Sequence, residues 1–516
     1  PGHSHIKLNA LLSLNTFDEN VRSQLSNDWF RMSVMTYVLL HNTASKNDLE
    51  QSLASFNQQT IVPWIKENKM NASIRYYAQP LADIHLSSEF TYDLSPAGNK
   101  AYVYIFGFVA FFILLIACIN YMNLATARSA KRAKEVGLRK VIGAHRSQLV
   151  KQFVGESVFI TLLAILVALA LVEVLLPYFN SLTEKQFSLR YFTNGPFLLV
   201  LLLIVLFVGL VGGSYPAFFL SGFKPVDVLK SDKGPRSSNA LLRKALVVTQ
   251  FTISLILIIG TIVVFSQMQF LKNNDLGFNK EHVVVIDIPG GDTTLVNKLN
   301  VIKHTFMQHP GIRNVSTTAS IPGEKMARLL YLAEGANGNQ QETTLSTMMV
   351  DYDFFDLMEI DMAQGRTFSR DLRTDDTSAF IINEAAAKFL GWTDPVGKPM
   401  EMGLGYSGKV IGVVKDFHYT SLHNKIEPLA IVLAPKTQGF LLVRVTPQNL
   451  PATLSYIEEK WQAFDPKHPM EYFFLDENFN KQYRAEEKML TVFGYFAGLT
   501  ILIACLGLFG LASFTA

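Results

Sequence analysis

The chain has 516 residues, of which 49% are hydrophobic and only 17% are charged, and its mean hydropathy is +0.21. Soluble globular chains carry about 25% charged residues, so this composition excludes an ordinary soluble globular protein. The formal net charge is only +3, and basic residues form no sustained run away from the apolar segments. We therefore expect no nucleic-acid-binding surface.

Five apolar runs account for the shortage of charge, and each is close to the roughly 20 residues that cross a bilayer as a helix. We predict transmembrane helices at Ala101–Ala127, Phe153–Phe179, Pro196–Leu220, Leu242–Phe270 and Leu490–Phe514. The two cysteines, Cys118 and Cys505, lie inside the first and last runs. They are expected to pack there rather than to form a disulfide or bind a metal.

Two polar regions lie outside these runs. Region 1–100 is predicted to contain helices at Phe17–Met32 and Leu49–Asn68 and a strand at Ser73–Ala78. Region 271–487 has the composition of a soluble α+β domain. Its clearest signals are strands at Val283–Ile288, Val410–Val414 and Phe440–Val445, turns at Pro289–Asp292 and Asp394–Lys398, and a helix at Glu384–Leu390 between Asn383 and Gly391. The predicted fold class is an α-helical integral membrane protein, multidomain, with large extracytoplasmic α+β domains.

A strongly basic segment joins the first two apolar runs. Only Glu135 opposes its basic residues, which are Arg128, Lys131, Arg132, Lys134, Arg139, Lys140, Arg146 and Lys151. A short basic loop between membrane spans is predicted to stay on the cytoplasmic side. Read as a helix, it has a face of small residues that includes Ala133 and Gly137, opposite a basic face. The segment could rest on anionic lipid, or its small face could dock closely on a protein.

The segment Asn120–Ala144, with the sequence NYMNLATARSAKRAKEVGLRKVIGA, closely resembles the signature of MacB/FtsX-type ABC transporter permeases. In that family the corresponding segment includes a coupling helix that docks on the ATPase subunit. The resemblance implies ATPase-coupling roles for Lys134, Glu135, Gly137, Arg139, Lys140 and Gly143. A second motif, Tyr215–Ala217 with Pro225–Lys230, is similar to the family's next cytoplasmic segment, and it implies secondary contacts at Pro225, Leu229 and Lys230.

The polar regions carry a related resemblance. Ile382–Trp392 and Val410–His418 resemble the MacB-like periplasmic core domain, and Pro80–Leu86 resembles the final stretch of such a domain. Asp416, His418 and His423 occur without a nucleophile elbow, a phosphate loop or a metal-ligand pair. We interpret them as structural, and we expect no catalytic residue, no metal site and no cofactor.

The last apolar run repeats the first. Phe106-Gly-Phe-Val-Ala followed by Leu-Ile-Ala-Cys118 matches Phe493-Gly-Tyr-Phe-Ala followed by Leu-Ile-Ala-Cys505 at the same spacing. We interpret the chain as a fragment of two tandem copies, the first without its start and the second without its end. The predicted domains are residues 1–100 as the end of a first periplasmic core domain, 101–221 as a transmembrane domain with a coupling loop at 128–151, 222–244 as a cytoplasmic linker, 245–270 as the helix that opens the second copy, 271–487 as the second periplasmic core domain, and 488–516 as the start of the second transmembrane domain.

The resemblance implies a permease subunit of an ABC transporter in the inner (plasma) membrane. The sequence contains no Gly-x-x-x-x-Gly-Lys-Ser/Thr, so ATP hydrolysis is expected on separate partner ATPases, two per permease. Further candidate partners are a periplasmic adaptor and an outer-membrane channel. Export or efflux is the favoured function, and a regulator of a periplasmic or cell-wall enzyme that transmits motion without transport is the alternative. A membrane-anchored sensor or enzyme is a third hypothesis, which no motif supports.

Overall fold

The computed structural model describes residues 13–16, 35–67, 73–87, 98–183, 187–188, 195–222, 238–289, 293–324, 326–335, 338–403, 405–436 and 439–515, and residues 6, 19 and 22 singly. Within these ranges it does not describe the side chains of residues 87, 126–134, 215–216, 218–222, 238–243, 293–294 and 514–515. Most of the helix predicted at Phe17–Met32 and most of the turn predicted at Pro289–Asp292 lie outside the described residues, as do Pro225, Leu229 and Lys230.

Short helices precede the first membrane helix: α1 (Lys46–Phe56), α2 (Val62–Glu67) and α3 (Ile84–Ser87). A π-helical turn at Asn57–Ile61 joins α1 to α2, so the helix predicted at Leu49–Asn68 is confirmed with an irregular middle. The strand predicted at Ser73–Ala78 is wrong, because this stretch has no regular secondary structure. A strand needs a neighbouring strand to pair with, and the described residues before α3 provide none.

Four long helices follow, α4 (Lys100–Val141), α5 (Arg146–Thr183), α6 (Gly195–Gly222) and α7 (Ser238–Asn273), and the last helix covers Arg484–Thr515. All five predicted runs are confirmed as helices. Within the residues whose side chains are described, the helices that are long and apolar enough to span a membrane are Lys100–Ala125, Arg146–Thr183, Gly195–Ser214, Lys244–Asn273 and Arg484–Ser513. Helix α6 continues past Pro216 to Gly222.

Small residues allow the membrane helices to approach each other closely. Gly209 of α6 packs on Val158 of α5, and a methyl group added at Gly209 would come within 2.7 Å of the Val158 side chain. Gly212 packs in the same way on Tyr121 of α4. Close backbone approach at small residues is a main source of helix packing in membranes, where no hydrophobic effect drives association.

The region between α7 and the last helix contains one mixed sheet of eleven strands. The strands are β1 (Val283–Asp287), β2 (Ile312–Thr318), β3 (Ala327–Glu334), β4 (Gln340–Val350), β5 (Met362–Gly365), β6 (Ala379–Asn383), β7 (Pro399–Met402), β8 (Tyr406–Val414), β9 (Leu429–Leu433), β10 (Phe440–Val445) and β11 (Tyr472–Phe474). The helices are α8 (Thr293–Phe306), α9 (Phe354–Met358), α10 (Asp375–Ser378), α11 (Glu384–Leu390), α12 (Leu450–Phe464), α13 (Leu475–Lys481) and, after the sheet, α14 (Arg484–Thr515).

Part of this sheet closes on itself. Strand β9 pairs with both β6 and β4, so β4, β3, β7, β8, β6 and β9 form a ring. Strands β2, β10, β1 and β11 extend from β4 as an open part of the sheet. The predicted strands at Val283–Ile288, Val410–Val414 and Phe440–Val445 are confirmed as β1, the end of β8, and β10.

The start of α11 shows why the local prediction succeeds. The Asn383 side-chain oxygen accepts hydrogen bonds from the backbone N–H groups of Ala386 and Leu429, each at 2.9 Å. Asn383 therefore caps the helix and also holds it to β9. Gly391 ends the helix with a φ of 74°, a conformation that glycine adopts without steric cost.

An ion pair beside β6 predicts a response to acid. The Arg366 guanidinium contacts both oxygens of the buried Asp375 carboxylate, at 2.5 and 2.9 Å, and holds the pKa of Asp375 below its usual value. A lowered folded-state pKa stabilises the protein above the unfolded pKa of about 3.9, and this stabilisation disappears as the pH falls through the folded value.

We expect Arg366→Met to lower the free energy of unfolding by about 1–2 kcal/mol at neutral pH, a value discounted for the exposed guanidinium. The difference from the parent protein should shrink below about pH 4. Urea unfolding at a series of pH values measures this difference in the free energy of unfolding. Lys415→Met, which removes an exposed pair with Asp361, is the control. An effect of the same size in that control would contradict the prediction.

Candidate coupling site

The basic segment is a direct continuation of a membrane helix. The apolar run at the start of α4 ends at Ala127, just before Arg128, yet α4 continues unbroken to Val141. At 1.5 Å per residue, the end of α4 lies about 21 Å beyond the end of this apolar run. The sequence predicted a coupling loop at 128–151 with its own helix. Instead, the loop is reduced to a tight turn at residues 142–145, because nothing in the segment interrupts helical hydrogen bonding before Gly143.

Gly143 ends α4. Its φ of +102° belongs to a region that other residues rarely adopt, and an added Cβ would meet no atom within 4 Å. The requirement for glycine is therefore conformational rather than steric. Its backbone N–H bonds the Lys140 carbonyl at 3.1 Å, and the Ala144 N–H bonds the Arg139 carbonyl at 3.0 Å. These bonds satisfy carbonyls that the end of a helix leaves without partners.

The charged residues of the predicted site mostly interact within the chain. Arg139 contacts Glu135, one turn earlier, at 2.7 Å. It also donates to the Gln152 side chain at 2.9 Å, and so ties α4 to α5. Burial, together with the nearby Arg146, holds the pKa of Lys140 below its usual value. The side chain of Lys134 is not described.

Gly137 lies on a face of α4 that is already packed. Both Gly137 and Val136 are buried within the chain, and Val136 is only 2% exposed. Gly137 is therefore not open to a partner in the structure described, and its coupling role stays a prediction from the family resemblance. A tryptophan at this position would disturb the packing of the chain itself.

The exposed face of the same turn is apolar. Leu138, Val141 and Ile142 are 55%, 60% and 78% exposed, and we call them the elbow patch. The sequence analysis missed these residues, although their spacing of three and four positions is that of one helix face. An open groove runs beside the patch and is lined by Arg139, Ile142, Ala144, Gln148, Leu149 and Gln152.

The polar residues considered in the outer domain have structural contacts. Asp416 accepts a hydrogen bond from the Ala385 N–H at 2.9 Å, at the start of α11. Burial raises the pKa of Asp416 and lowers that of His418. In the part of the chain that the structure describes, no three His, Cys, Asp or Glu residues are placed to hold a metal ion.

Two family models match the chain. Residues 107–225 match the C-terminal FtsX-like permease model, and residues 251–458 match the MacB-like periplasmic core domain. The macrolide export ATP-binding/permease protein MacB of Bdellovibrio bacteriovorus is 30% identical over 122 residues, which are 24% of this chain and 18% of that protein. MacB of Haemophilus ducreyi is 26% identical over 197 residues, which are 37% of this chain and 28% of that protein. The chain thus spans between about a fifth and about a quarter of the length of these relatives.

Two solved structures are similar to part of the chain. The periplasmic region of MacB from Actinobacillus actinomycetemcomitans is 16% identical, with a TM-score of 0.30, and the match covers 41% of this chain and 95% of that one. The extracellular domain of the ABC-type transporter YknZ from Gram-positive bacteria is 17% identical, with a TM-score of 0.28, and the match covers 37% and 99%.

Apolar spanning helices joined to a sheet-rich α+β domain define an inner-membrane permease with a large extracytoplasmic domain. More specifically, the two matched family models and the MacB relatives place the chain among the MacB/FtsX-type ABC transporter permeases. The expected family, fold class and membrane location are confirmed.

Proposed function

We propose that this chain is a permease subunit that receives motion from a separate ABC ATPase at the elbow patch and passes it to the outer domain. The matches to the FtsX-like permease and MacB-like periplasmic core models support the permease role. Glu135, Arg139, Lys140 and Gly143 then form and support the turn that carries the patch. Lys134, Pro225, Leu229 and Lys230 remain proposed contacts from the family resemblance alone.

The exposure of Ile142 and its neighbours carries this proposal. The interfacial layer of a bilayer adds only about 5–8 Å on each side of the hydrocarbon. A patch about 21 Å beyond the apolar run of α4 therefore lies outside the reach of lipid when α4 stands near the membrane normal. An apolar patch in water indicates a protein-binding surface. The basic residues closer to the membrane can still contact anionic lipid.

The connection to the outer domain supports transmission of motion. The largest apolar cluster of the outer domain, which contains Phe354, Phe417 and Phe479, also includes Met268 of α7, and Leu490 of α14 packs against it. At the same level Lys272 of α7 forms an ion pair with Glu487 of α14 at 2.5 Å. Since packed interiors resist deformation, a shift of these two helices is expected to move the outer domain with them.

The predicted domain boundaries remain part of the proposal, with α4 and α14 as equivalent helices of two tandem copies. We propose export or efflux as the result of the motion, with a periplasmic adaptor and an outer-membrane channel as further partners. Regulation of a periplasmic or cell-wall enzyme is the alternative outcome of the same coupling.

Native mass spectrometry of the full-length chain purified with its ATPase tests this function. We expect one permease chain with two ATPase subunits, because two tandem copies provide two coupling turns. A complex that contains two permease chains, or no bound ATPase, would contradict the proposal.

A further inference from the structure

The two repeated helices contact each other at equivalent positions. The rings of Phe106 in α4 and Phe493 in α14 stack with their centroids 5.2 Å apart. These residues have the same place in the repeated sequence. Further along both helices, Asn120 contacts Gly507, and these residues are also equivalent. The helices are therefore parallel, and equivalent residues face each other as they do across a twofold axis.

The contact between Asn120 and Gly507 is chemically asymmetric. The Asn120 amide donates a hydrogen bond to the backbone carbonyl of Ile503 at 2.5 Å. In a helix, each side chain leans back over the turn before it, so a side chain at position 507 would cover this carbonyl. A methyl group added at Gly507 would overlap the Asn120 amide. Because Gly507 has no side chain, the Ile503 carbonyl is accessible to the Asn120 amide.

The same difference recurs one turn further along. Gly510 occupies the position equivalent to Asn123, and it packs on Leu124 of α4. Asn123 is buried, at 4% exposure. The first copy thus has two asparagines where the second copy has two glycines, and both glycines are in the contact between the helices.

We propose that Asn120 and Gly507 form a specificity lock that pairs α4 with α14 of the same chain and excludes pairing of either helix with its own counterpart in a second chain. At the same helix separation, two α4 helices would place two asparagine side chains in the space that Gly507 leaves open for one. Two α14 helices would have glycine against glycine, with no amide to donate. Specificity that combines a favourable contact with a clash in the wrong pair is typical of selective interfaces. This inference concerns pairing within the membrane and does not depend on the proposed ATPase coupling.

Cross-linking of the full chain tests the lock. In a background with Cys118→Ala and Cys505→Ala, cysteines replace Phe106 and Phe493, and a protease site is inserted in the hairpin between β3 and β4. After oxidation and cleavage, an intrachain cross-link keeps the two halves together, whereas an interchain cross-link doubles the mass of the uncut chain. We expect intrachain cross-linking alone in this parent protein.

Three variants distinguish loss of the Asn120–Gly507 contact from general destabilisation of the helices. Gly507→Asn should reduce intrachain cross-linking about tenfold, because overpacking forces the helices apart. The double variant Asn120→Gly with Gly507→Asn should restore intrachain cross-linking, because it exchanges the side chains of the two equivalent positions. The asparagine at position 507 can then donate to the Ile116 carbonyl, which the glycine at position 120 leaves accessible. Gly498→Asn makes the same change on the same helix, where an added Cβ meets no atom within 4 Å, and it should match the parent. Interchain cross-links in the parent, or a double variant no better than Gly507→Asn, would overturn the proposal.

Discussion

Ile142→Asp should abolish stimulation of the partner ATPase while leaving the expression and membrane insertion of the chain unchanged. Ile142 is 78% exposed at the tip of α4, so an aspartate there meets water and disturbs no packing in the free chain. At an interface, the same change removes about 2 kcal/mol of apolar burial and adds a charge that must lose its hydration. Apolar residues at the centre of interfaces often carry this much binding energy. The measurement is ATPase rate against permease concentration in nanodiscs.

Two variants at the same turn control this experiment. Ile142→Leu preserves the apolar surface and should retain stimulation. His145→Asp adds the same charge three residues later, where the backbone N–H of His145 starts α5 by bonding the Gln148 side chain. Since aspartate is well tolerated at helix starts, this variant should also stimulate. Normal stimulation by Ile142→Asp would remove the elbow patch from the coupling site.

The largest predicted effect on stability is at Arg444 in β10. This arginine is only 6% exposed, and its guanidinium donates to the carbonyls of Leu357, Asn279 and Glu281 at 2.7, 2.8 and 2.9 Å. Two of these carbonyls lie in the connection from α7 to β1. We expect Arg444→Met to lower the free energy of unfolding of the outer domain by about 3–5 kcal/mol. The buried Leu357 carbonyl and the two part-buried carbonyls all lose their donor, and a fully buried carbonyl without a donor costs about 1–3 kcal/mol.

Urea unfolding of the full chain in micelles measures this loss. In a background with Trp29→Phe and Trp64→Phe, the tryptophan fluorescence comes from Trp392 and Trp461 of the outer domain. Arg328→Met is the matched control, because Arg328 is 55% exposed and lies 3.4 Å from Glu427. Exposed pairs of this kind contribute at most about 1 kcal/mol. Equal losses in the two variants would show that the Arg444 hydrogen bonds have no special role.

Features that depend on a short stretch of sequence were predictable. Five apolar runs gave the spanning helices, and Asn383 with Gly391 marked both ends of α11. The closure of the sheet through β4 and β9 was not predictable, since it pairs residues 83 positions apart, as Ser346 with Leu429. Neither was the burial of Gly137, which depends on tertiary packing. Periodicity marks an apolar face but does not tell whether the chain or a partner covers it, so the elbow patch was missed.

The position of the Asn120 contact along α4 has a mechanical consequence. It lies about 30 Å from Lys100 at the outer end and about 32 Å from Val141 at the elbow, at 1.5 Å per residue. If α4 tilted about this point as a rigid rod, its two ends would move in opposite directions by nearly the same distance. A displacement of the elbow end of α4 would then produce a displacement of nearly the same size, in the opposite direction, at its outer end.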